Sequence, residues 1–434
     1  MSIAPYKWSR NVSLLIGIFL VVPAAAPAQD HTTGRWEGTM HRGASTLSIA
    51  IDLPAGSPAR GFFTAGELGA VDVPLRNVQL GARVSWELVG DQTTTVFTGK
   101  VSRDRIQGDF TDNETHGVFT LHRVSASTDK PYTSSEIHFN NGAITLAGSV
   151  LSPRAPGRHP AVVFIHGSGA EGRWANGFAA DNLARHGVIA LIYDKRGVGG
   201  STGDWKTSTL GDLAADARAA VHLLVGRADV DARRVGVYGH SQGGFIAPMV
   251  AAKNAEVRWI IDADGNVGPE YEQDLFRVGT ALAKRYSGQS LIDALSLYRE
   301  FVDVARNGLP HDQLHADEAR YRTAPWYEDL ALPDDQHWIW KWYRSVGNTD
   351  NRPAWAAVDV PVLLLYGEKD ELVPPRQSID TIRRLLAANH NTAVTVRVLE
   401  GADHTLRVPP DDPSGWPHYA EGYPRVIVDW IKHH

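Results

Sequence analysis

The stretch Gly239-His-Ser-Gln-Gly-Gly244 decides the fold of this chain. The apolar, β-branched run before it, residues 234–238, predicts a buried strand, and residues 245–252 after it predict a helix. A serine at the apex of such a tight turn has strained backbone geometry. The positions two residues before and after it therefore require glycine, which lets the strand and the helix approach each other. The stretch predicts a nucleophile elbow with Ser241 at its tip.

Strands and helices alternate through the chain on both sides of this turn. Continuous apolar runs predict further buried strands at residues 161–165, 188–192, 257–261, 360–366 and 394–399, after a hairpin at 137–150. Apolar residues at helical spacing predict helices at residues 178–186, 210–225, 377–388 and about 419–431. Strands alternating with helices of this length predict the α/β class, with a doubly wound, mainly parallel sheet covered on both faces.

The first part of the chain has a different pattern. Short segments of alternating apolar and polar residues are separated by turn signals, for example at residues 46–51, 84–89, 94–97 and 118–121. This pattern predicts a small antiparallel β-domain over residues 30–125, either a sandwich or a barrel, in an accessory role. Trp36 is expected to plug one end of it. A polar stretch with a proline, residues 125–131, predicts the linker to a second domain at residues 132–434.

The alternation is interrupted at about residues 268–355, where the sequence is helical and rich in aromatic residues. An insertion at this point lies over the carboxyl ends of the strands, which is where ligands bind in such sheets. We therefore expect a helical cap. Its Trp338, Trp340 and Trp342 are candidates for lining a substrate pocket. The alternative is that the cap aromatics fill the core of the cap itself.

The amino terminus has the features of an export signal. Lys7 and Arg10 precede a short apolar run at residues 14–22, and Ala26-Pro-Ala28 supplies the small residues of a cleavage site. We predict a signal peptide over residues 1–28, cleaved after its last alanine, and a periplasmic or extracellular location. The apolar run is short for a membrane span, so no stable membrane insertion is expected after cleavage; an uncleaved anchor is the alternative.

Composition excludes several classes of protein. The 434 residues are 43% hydrophobic and 21% charged, as in soluble globular proteins, and the length predicts two or three domains. The formal net charge is -6 and no basic cluster is present, so nucleic acid is not an expected partner. The chain contains no cysteine, which excludes disulfides, a thiol nucleophile and a cysteine-based zinc site. Neither a cofactor nor a metal site is predicted.

Three strand ends supply the groups of a catalytic triad. A serine hydroxyl is a poor nucleophile unless an adjacent base takes its proton, and that base needs an acid to orient it. Ser241 follows one predicted strand, Asp370 follows the next-to-last strand, and His404 follows the last. The order serine, acid, histidine is one that this kind of sheet uses. We predict that these three residues are catalytic.

Other carboxylates compete for the role of the acid. Asp262 and Asp264 also end a strand and precede His404 in the chain. Asp403 is adjacent to His404, and its side chain is expected to point elsewhere. Asp370 remains the first candidate.

These motifs resemble those of the α/β-hydrolase superfamily, and within it the group of dienelactone hydrolases and serine aminopeptidase-like esterases. The resemblance covers residues 132–434 and leaves the β-domain outside. The stretches that carry it are His166-Gly-Ser-Gly169, Asp194-Lys-Arg-Gly-Val-Gly199, the elbow, Gly367-Glu-Lys-Asp370 and Gly401-Ala-Asp-His404. It implies an α/β-hydrolase fold with a helical cap.

The resemblance also implies an oxyanion hole made by the backbone N–H groups of Gln242 and Ser168. The neighbouring His166 is interpreted as a residue that fixes its loop through a hydrogen bond, with a second base as the alternative. Asp194 and Arg196 are expected to pair with each other and pin a loop near the site.

The expected function is that of an exported serine hydrolase that cleaves a carboxylic ester through an acyl-enzyme, with a small-molecule ester or short amide as substrate. A serine peptidase acting on short peptides is the nearest alternative, and Glu270, Glu272 or Arg277 of the cap could anchor a charged peptide terminus. The alternative from another class is a non-catalytic binding protein that recognises its ligand through the β-domain.

Overall fold

The computed structural model describes residues 32–90, 93–112, 115–125, 130–252, 254–412 and 415–434. The predicted signal peptide, residues 1–28, lies outside the described residues, as does most of the predicted linker. Across the ranges that are described, the structure contains no helix with both the length and the apolar character needed to cross a membrane.

The amino-terminal domain is one antiparallel sheet of nine strands. The strands are β1 (Gly34–Arg42), β2 (Ser45–Leu53), β3 (Phe62–Ala65), β4 (Ala70–Pro74), β5 (Arg76–Gln79), β6 (Arg83–Val89), β7 (Thr94–Ser102), β8 (Arg105–Asp112) and β9 (Thr115–Val124). Their order is β4-β3-β2-β1-β9-β8-β7-β6-β5. Only Leu75 separates the two edge strands, so the sheet curls until its edges lie side by side. Trp36 is fully buried inside the curl, with a stack of Trp86 on Phe97.

The second domain is built on a sheet of eight strands. They are β10 (Tyr132–Asn141), β11 (Ile144–Pro153), β12 (His159–Ile165), β13 (Ile189–Tyr193), β14 (Val230–His240), β15 (Ile260–Ala263), β16 (Val362–Gly367) and β17 (Val394–Leu399). The order is β10-β11-β13-β12-β14-β15-β16-β17. In this order, β10 pairs antiparallel with β11, and β11 pairs antiparallel with β13. Every later pair, from β13–β12 to β16–β17, is parallel.

Helices cover both faces of this sheet, as expected for strands that are apolar throughout. They are α1 (Gly177–Arg185), α2 (Leu210–Val225), α3 (Gln242–Ala251), α9 (Pro375–Ala388) and α10 (Arg425–His433). Side chains of β12 alternate between two cores: Val163 packs with α2, α3 and α9, whereas Phe164 packs with α1 and α10. The predicted α/β-hydrolase fold is confirmed. The last helix begins six residues later than predicted, because Gly422 has a left-handed φ of 85° and Pro424 lacks an N–H group.

Five helices between β15 and β16 form the cap. They are α4 (Glu270–Ala283), α5 (Gly288–Asn307), α6 (Asp312–Tyr321), α7 (Ile339–Val346) and α8 (Arg352–Trp355). The cap has its own apolar core, in which the Phe301 ring lies 5.1 Å from Trp340 and 5.6 Å from Tyr343. Trp340 is only 6% exposed. The structure therefore corrects the prediction for Trp340, which packs inside the cap.

The β-domain docks on the segment that follows His404. This segment forms a short hairpin of β18 (Arg407–Val408) and β19 (His418–Tyr419). The Arg407 guanidinium donates a 2.8 Å hydrogen bond to the Leu68 carbonyl oxygen of the β-domain. Gly69 lies against the Tyr419 ring so closely that a Cβ atom there would be 2.0 Å from Cε2. The β-domain thus supports the loop that carries the predicted catalytic histidine.

Candidate active site

The turn between β14 and α3 holds Ser241 in a strained conformation, with φ 56° and ψ -120°. This conformation is possible because strand and helix almost touch. A Cβ atom on Gly239 would lie 2.1 Å from the Gly243 carbonyl oxygen, and one on Gly243 would lie 2.2 Å from the carbonyl oxygen of Ile165. Both glycines are therefore sterically required, and the strain presents the serine hydroxyl above the sheet.

The structure brings Ser241, His404 and Asp370 into one hydrogen-bonded line. His404 Nε2 lies 2.9 Å from Ser241 Oγ, and His404 Nδ1 lies 2.8 Å from Asp370 Oδ2. The second carboxylate oxygen of Asp370 accepts hydrogen bonds from the N–H groups of Leu372 at 2.7 Å and Val373 at 2.9 Å. With Nδ1 donating to the carboxylate, Nε2 is free to accept the serine proton. The geometry suits a catalytic triad. The catalytic roles of Ser241, His404 and Asp370 remain predictions.

The three alternative acids lie in different surroundings. Tyr366 donates a 2.8 Å hydrogen bond to Asp262, and burial raises the pKa of this carboxyl to about 7. Asp403 accepts hydrogen bonds from Thr405 and so shapes its own loop.

Asp264 has the closest position to the triad. It is fully buried with its Oδ1 accepting a 2.8 Å hydrogen bond from the Gly367 N–H group, and its carboxylate faces that of Asp370. Burial, together with the neighbouring charge of Asp370, raises the pKa of Asp264 well above its usual range. Two adjacent carboxyls cannot both ionise readily. The neutral form of the Asp264 carboxyl is therefore favoured, and the Asp370 carboxyl is the one that faces His404.

The loop after β12 is held by a residue that the sequence analysis did not single out. Lys195 is buried, and its ammonium group donates hydrogen bonds to the carbonyl oxygens of Gly167 at 2.5 Å and Gly169 at 2.9 Å. The Gly167 N–H group donates in turn to Glu171 Oε2 at 2.8 Å. Burial lowers the pKa of Lys195 to about 8. The loop is thus clamped on both sides of Ser168.

The predicted oxyanion donors, Gln242 and Ser168, line the same cavity as the predicted nucleophile. Gln242 is the first residue of α3, so its N–H group has no carbonyl partner within the helix. Ser168 lies between the two carbonyl groups that Lys195 holds, and both residues line the cavity in which Ser241 opens. His166 Nε2 hydrogen bonds to the Tyr193 carbonyl oxygen, and burial lowers the histidine's pKa to about 3. These contacts match the interpretation of His166 as a loop-fixing residue.

Asp194 and Arg196 do not pair, and that expectation was wrong. Asp194 forms two side-chain hydrogen bonds with Arg173, at 3.1 and 3.0 Å. Arg196 forms a bidentate pair with the buried Asp216, with both distances 2.7 Å. The two residues are close in sequence but leave the turn after β13 in different directions, so each pins a different segment.

A cavity of about 2350 Å³ surrounds Ser241 and is lined by all three parts of the chain. Trp338 and Trp342 of the cap line it, whereas Trp340 does not. The β-domain contributes charged and aromatic side chains, including Arg35, Asp52, Arg60, Phe62, Asp72 and Arg76. Typical small-molecule pockets measure about 300–1,000 Å³, so this one is large.

One further acid lies in this cavity near the nucleophile. Glu270, the first residue of α4, is buried, and burial raises its pKa to about 7 although the Gln242 side chain hydrogen bonds to it. Sequence reasoning named it only as an anchor for a peptide terminus. Its position beside Gln242 depends on how the cap folds back over the sheet.

A family model described as serine aminopeptidase S33 matches residues 157–411, more than half of the chain. The chain belongs to this family of α/β-hydrolases. The match begins in the second domain and runs through the cap to the hairpin after His404.

Curated relatives match shorter stretches. Esterase EstD of Thermotoga maritima is 30% identical over 171 residues, which cover 36% of this chain and 41% of the esterase. An uncharacterized protein of Mycobacterium tuberculosis is 33% identical over 129 residues, which cover 30% of this chain and 44% of that protein. The match therefore spans less than half of the length of these relatives.

Two solved structures are similar to this chain at low identity and with TM-scores below 0.5. A 2,6-dihydroxy-pseudo-oxynicotine hydrolase is 19% identical with a TM-score of 0.43, over 70% of this chain and 67% of that one. An esterase of Pyrococcus furiosus is 18% identical with a TM-score of 0.43, over 71% of this chain and 92% of that one.

Replacing Asp370 and Asp264 by asparagine, one at a time, separates the roles of these two neighbouring acids. Asp370→Asn should lower kcat by about 10⁴-fold, because the amide can donate to His404 Nδ1 and so stabilise the wrong tautomer. Asp264→Asn should retain most of the activity, since asparagine has the shape of the neutral carboxyl. Steady-state kinetics and a thermal melt of both variants measure this. A crippled Asp264→Asn beside a nearly normal Asp370→Asn would transfer the role of the acid to Asp264.

Removing the Lys195 ammonium should loosen the loop that carries Ser168. We expect Lys195→Met to lower kcat by roughly 10²-fold, the lower end of the effect of losing an oxyanion donor, with a smaller change in KM. Lys341→Met, an exposed change on α7, is the control. Equal kcat values for the two variants would show that the clamp does not contribute to turnover.

Proposed function

We propose that this protein is a serine hydrolase that cleaves carboxylic esters through an acyl-enzyme. Ser241 is the nucleophile, His404 the general base and Asp370 the acid that orients it. The observation that carries the proposal is the hydrogen-bonded line from Asp370 Oδ2 through His404 to Ser241 Oγ, opening into a large cavity. Membership of a hydrolase family and the similarity to an esterase support it.

The geometry suits a two-step reaction. Ser241 Oγ attacks the ester carbonyl carbon while His404 Nε2 takes its proton, and the carbonyl oxygen becomes an oxyanion. The N–H groups of Gln242 and Ser168 stabilise that oxyanion. The tetrahedral intermediate collapses, and the departing alcohol takes the proton from His404. Water then attacks the acyl-enzyme with the same base, and the acid leaves as Ser241 recovers its proton.

The cavity supports an ester with a bulky or extended acyl group. Trp338 and Trp342 offer large apolar surfaces on the cap side, where an acyl or aryl group can be buried. Charged side chains of the β-domain line the same cavity. We infer that the β-domain contributes to substrate binding as well as supporting the His404 loop.

Cleavage of an amide is the second candidate, and Glu270 is the observation that favours it. This buried carboxyl lines the cavity beside Gln242 and could bind the ammonium group of a short peptide. The description of the family as serine aminopeptidases supports the same candidate. A cationic substrate would favour the ionised form of Glu270 and offset the effect of burial on its pKa.

A paired substrate panel tests both candidates. We expect p-nitrophenyl esters of increasing chain length to be hydrolysed faster than aminoacyl p-nitroanilides, and Ser241→Ala to lose about 10⁴-fold or more of the activity. Glu270→Gln should change ester hydrolysis little. Faster anilide cleavage that Glu270→Gln abolishes would establish the peptidase instead, and full activity of Ser241→Ala would refute both.

Alanine variants of the three cap tryptophans distinguish residues that line the substrate pocket from residues that pack in the cap core. Trp338→Ala and Trp342→Ala should change the preference for ester chain length, since each buried methylene contributes about 0.8 kcal/mol, or roughly fourfold in kcat/KM. Trp340→Ala is the matched control, because its ring lies in the cap core. It should lower the melting temperature more than it alters the profile. A chain-length profile unchanged in the first two variants would contradict a pocket role.

We propose that the protein acts outside the cytoplasm after removal of residues 1–28. The small residues at positions 26 and 28 suit a signal peptidase. Mass spectrometry of the exported protein should find Gln29 at the amino terminus. A chain that still begins at Met1 in the membrane fraction would contradict the proposal.

A further inference from the structure

Two histidines and one aspartate of the cap direct their side chains to a single point. His311 Nδ1 lies 2.7 Å from Asp335 Oδ1, and His315 Nε2 lies 3.0 Å from the same oxygen atom. One potential ligand atom from each residue lies within 4.8 Å of the other two. The cluster is partly exposed and is separate from the predicted triad.

The backbone explains why these residues meet. His311 immediately precedes α6, and the His315 N–H group donates a 2.9 Å hydrogen bond to the His311 carbonyl oxygen. Residues four positions apart in a helical turn lie on the same face, so the two imidazoles are neighbours. Asp335 comes from the loop before α7. The cluster therefore connects two segments of the cap.

Trp340 packs against the cluster. Its ring stacks on the His311 imidazole with 4.2 Å between centroids, and its Nε1–H group donates a 2.8 Å hydrogen bond to the Asp334 carbonyl oxygen. One buried side chain thus fixes both a histidine ring and the backbone next to Asp335. Groups of this kind orient metal ligands and commonly change metal affinity by about 10–100-fold when altered.

We propose that His311, His315 and Asp335 bind a divalent transition-metal ion of the zinc class. Tetrahedral zinc takes imidazole nitrogen at about 2.0–2.1 Å and carboxylate oxygen at about 2.0–2.2 Å, which places ligand atoms about 3.3 Å apart. The two nitrogen–oxygen separations need to open only slightly to reach that value, and the two imidazole nitrogens lie within 4.8 Å of each other. Two imidazoles favour zinc over magnesium or calcium, which prefer all-oxygen sites. Water completes the fourth position.

The site would fix one wall of the large cavity. The loop that carries Asp335 also carries Ala331, Pro333, His337 and Trp338, and these four residues line the cavity. A bound ion ties this loop to α6 more firmly than two hydrogen bonds to one oxygen atom. None of the three ligands belongs to the predicted triad, so the ion is structural and the proposal is independent of the function proposed above.

Calorimetric titration of the full-length protein with zinc chloride tests the proposal. We expect one zinc ion to bind strongly per protein molecule. Zinc should also raise the melting temperature and slow hydrogen exchange in the loop at residues 331–338. His315→Ala and Asp335→Asn should each weaken binding by more than about 10-fold, because each removes a ligand. Magnesium chloride should give no such binding.

Two matched controls locate the ion. His222→Ala removes an exposed histidine of α2 that contacts one carboxylate, Glu256, at 2.8 Å. This change should leave the strong binding of zinc unchanged. The double change His433→Ala and His434→Ala removes the paired histidines at the end of the chain and should also leave it unchanged. No strong zinc binding by the wild-type protein, or binding unaffected by His315→Ala and Asp335→Asn, would overturn the proposal.

Discussion

The close approach of β14 and α3 at Ser241 is the constraint on which the rest of the site depends. The serine keeps a positive φ because Gly239 leaves no side chain between β14 and α3, and Gly243 leaves none between α3 and the end of β12. Such a conformation costs about 1–3 kcal/mol, which the packing of the sheet must offset. This conformation places the hydroxyl above the carboxyl edge of the sheet, where the loops after β16 and β17 bring Asp370 and His404 to it.

Buried ionisable side chains hold the segments around Ser241 in place. Lys195 clamps the loop that carries Ser168. The buried Asp264 carboxyl lies close to that of Asp370, and burial raises the pKa of Asp264. The β-domain contacts the segment that follows His404, since the Leu68 carbonyl oxygen accepts a hydrogen bond from Arg407. The β-domain therefore packs against the hairpin that follows His404.

The fold was predictable because its signals are local. Period-two alternation, long apolar runs and the glycines of the elbow act within short windows, and strand order then follows from the topology of such sheets. The meeting of Ser241, His404 and Asp370 at one edge of the sheet could also be expected from the sequence, since each follows a strand. Contacts between distant segments were not: Asp194 pairs with Arg173 rather than Arg196, and Trp340 packs inside the cap. The share of the β-domain in the cavity depends on domain docking, for which the sequence carries no periodic signal.

The central claim is that Ser241 is the nucleophile, activated by His404. Its most direct test is labelling with a fluorophosphonate, followed by mass spectrometry of the peptides. The account predicts one adduct, on the Ser241 oxygen, and much slower labelling of His404→Ala. An adduct on another residue, or undiminished labelling of Ser241→Ala, would contradict it.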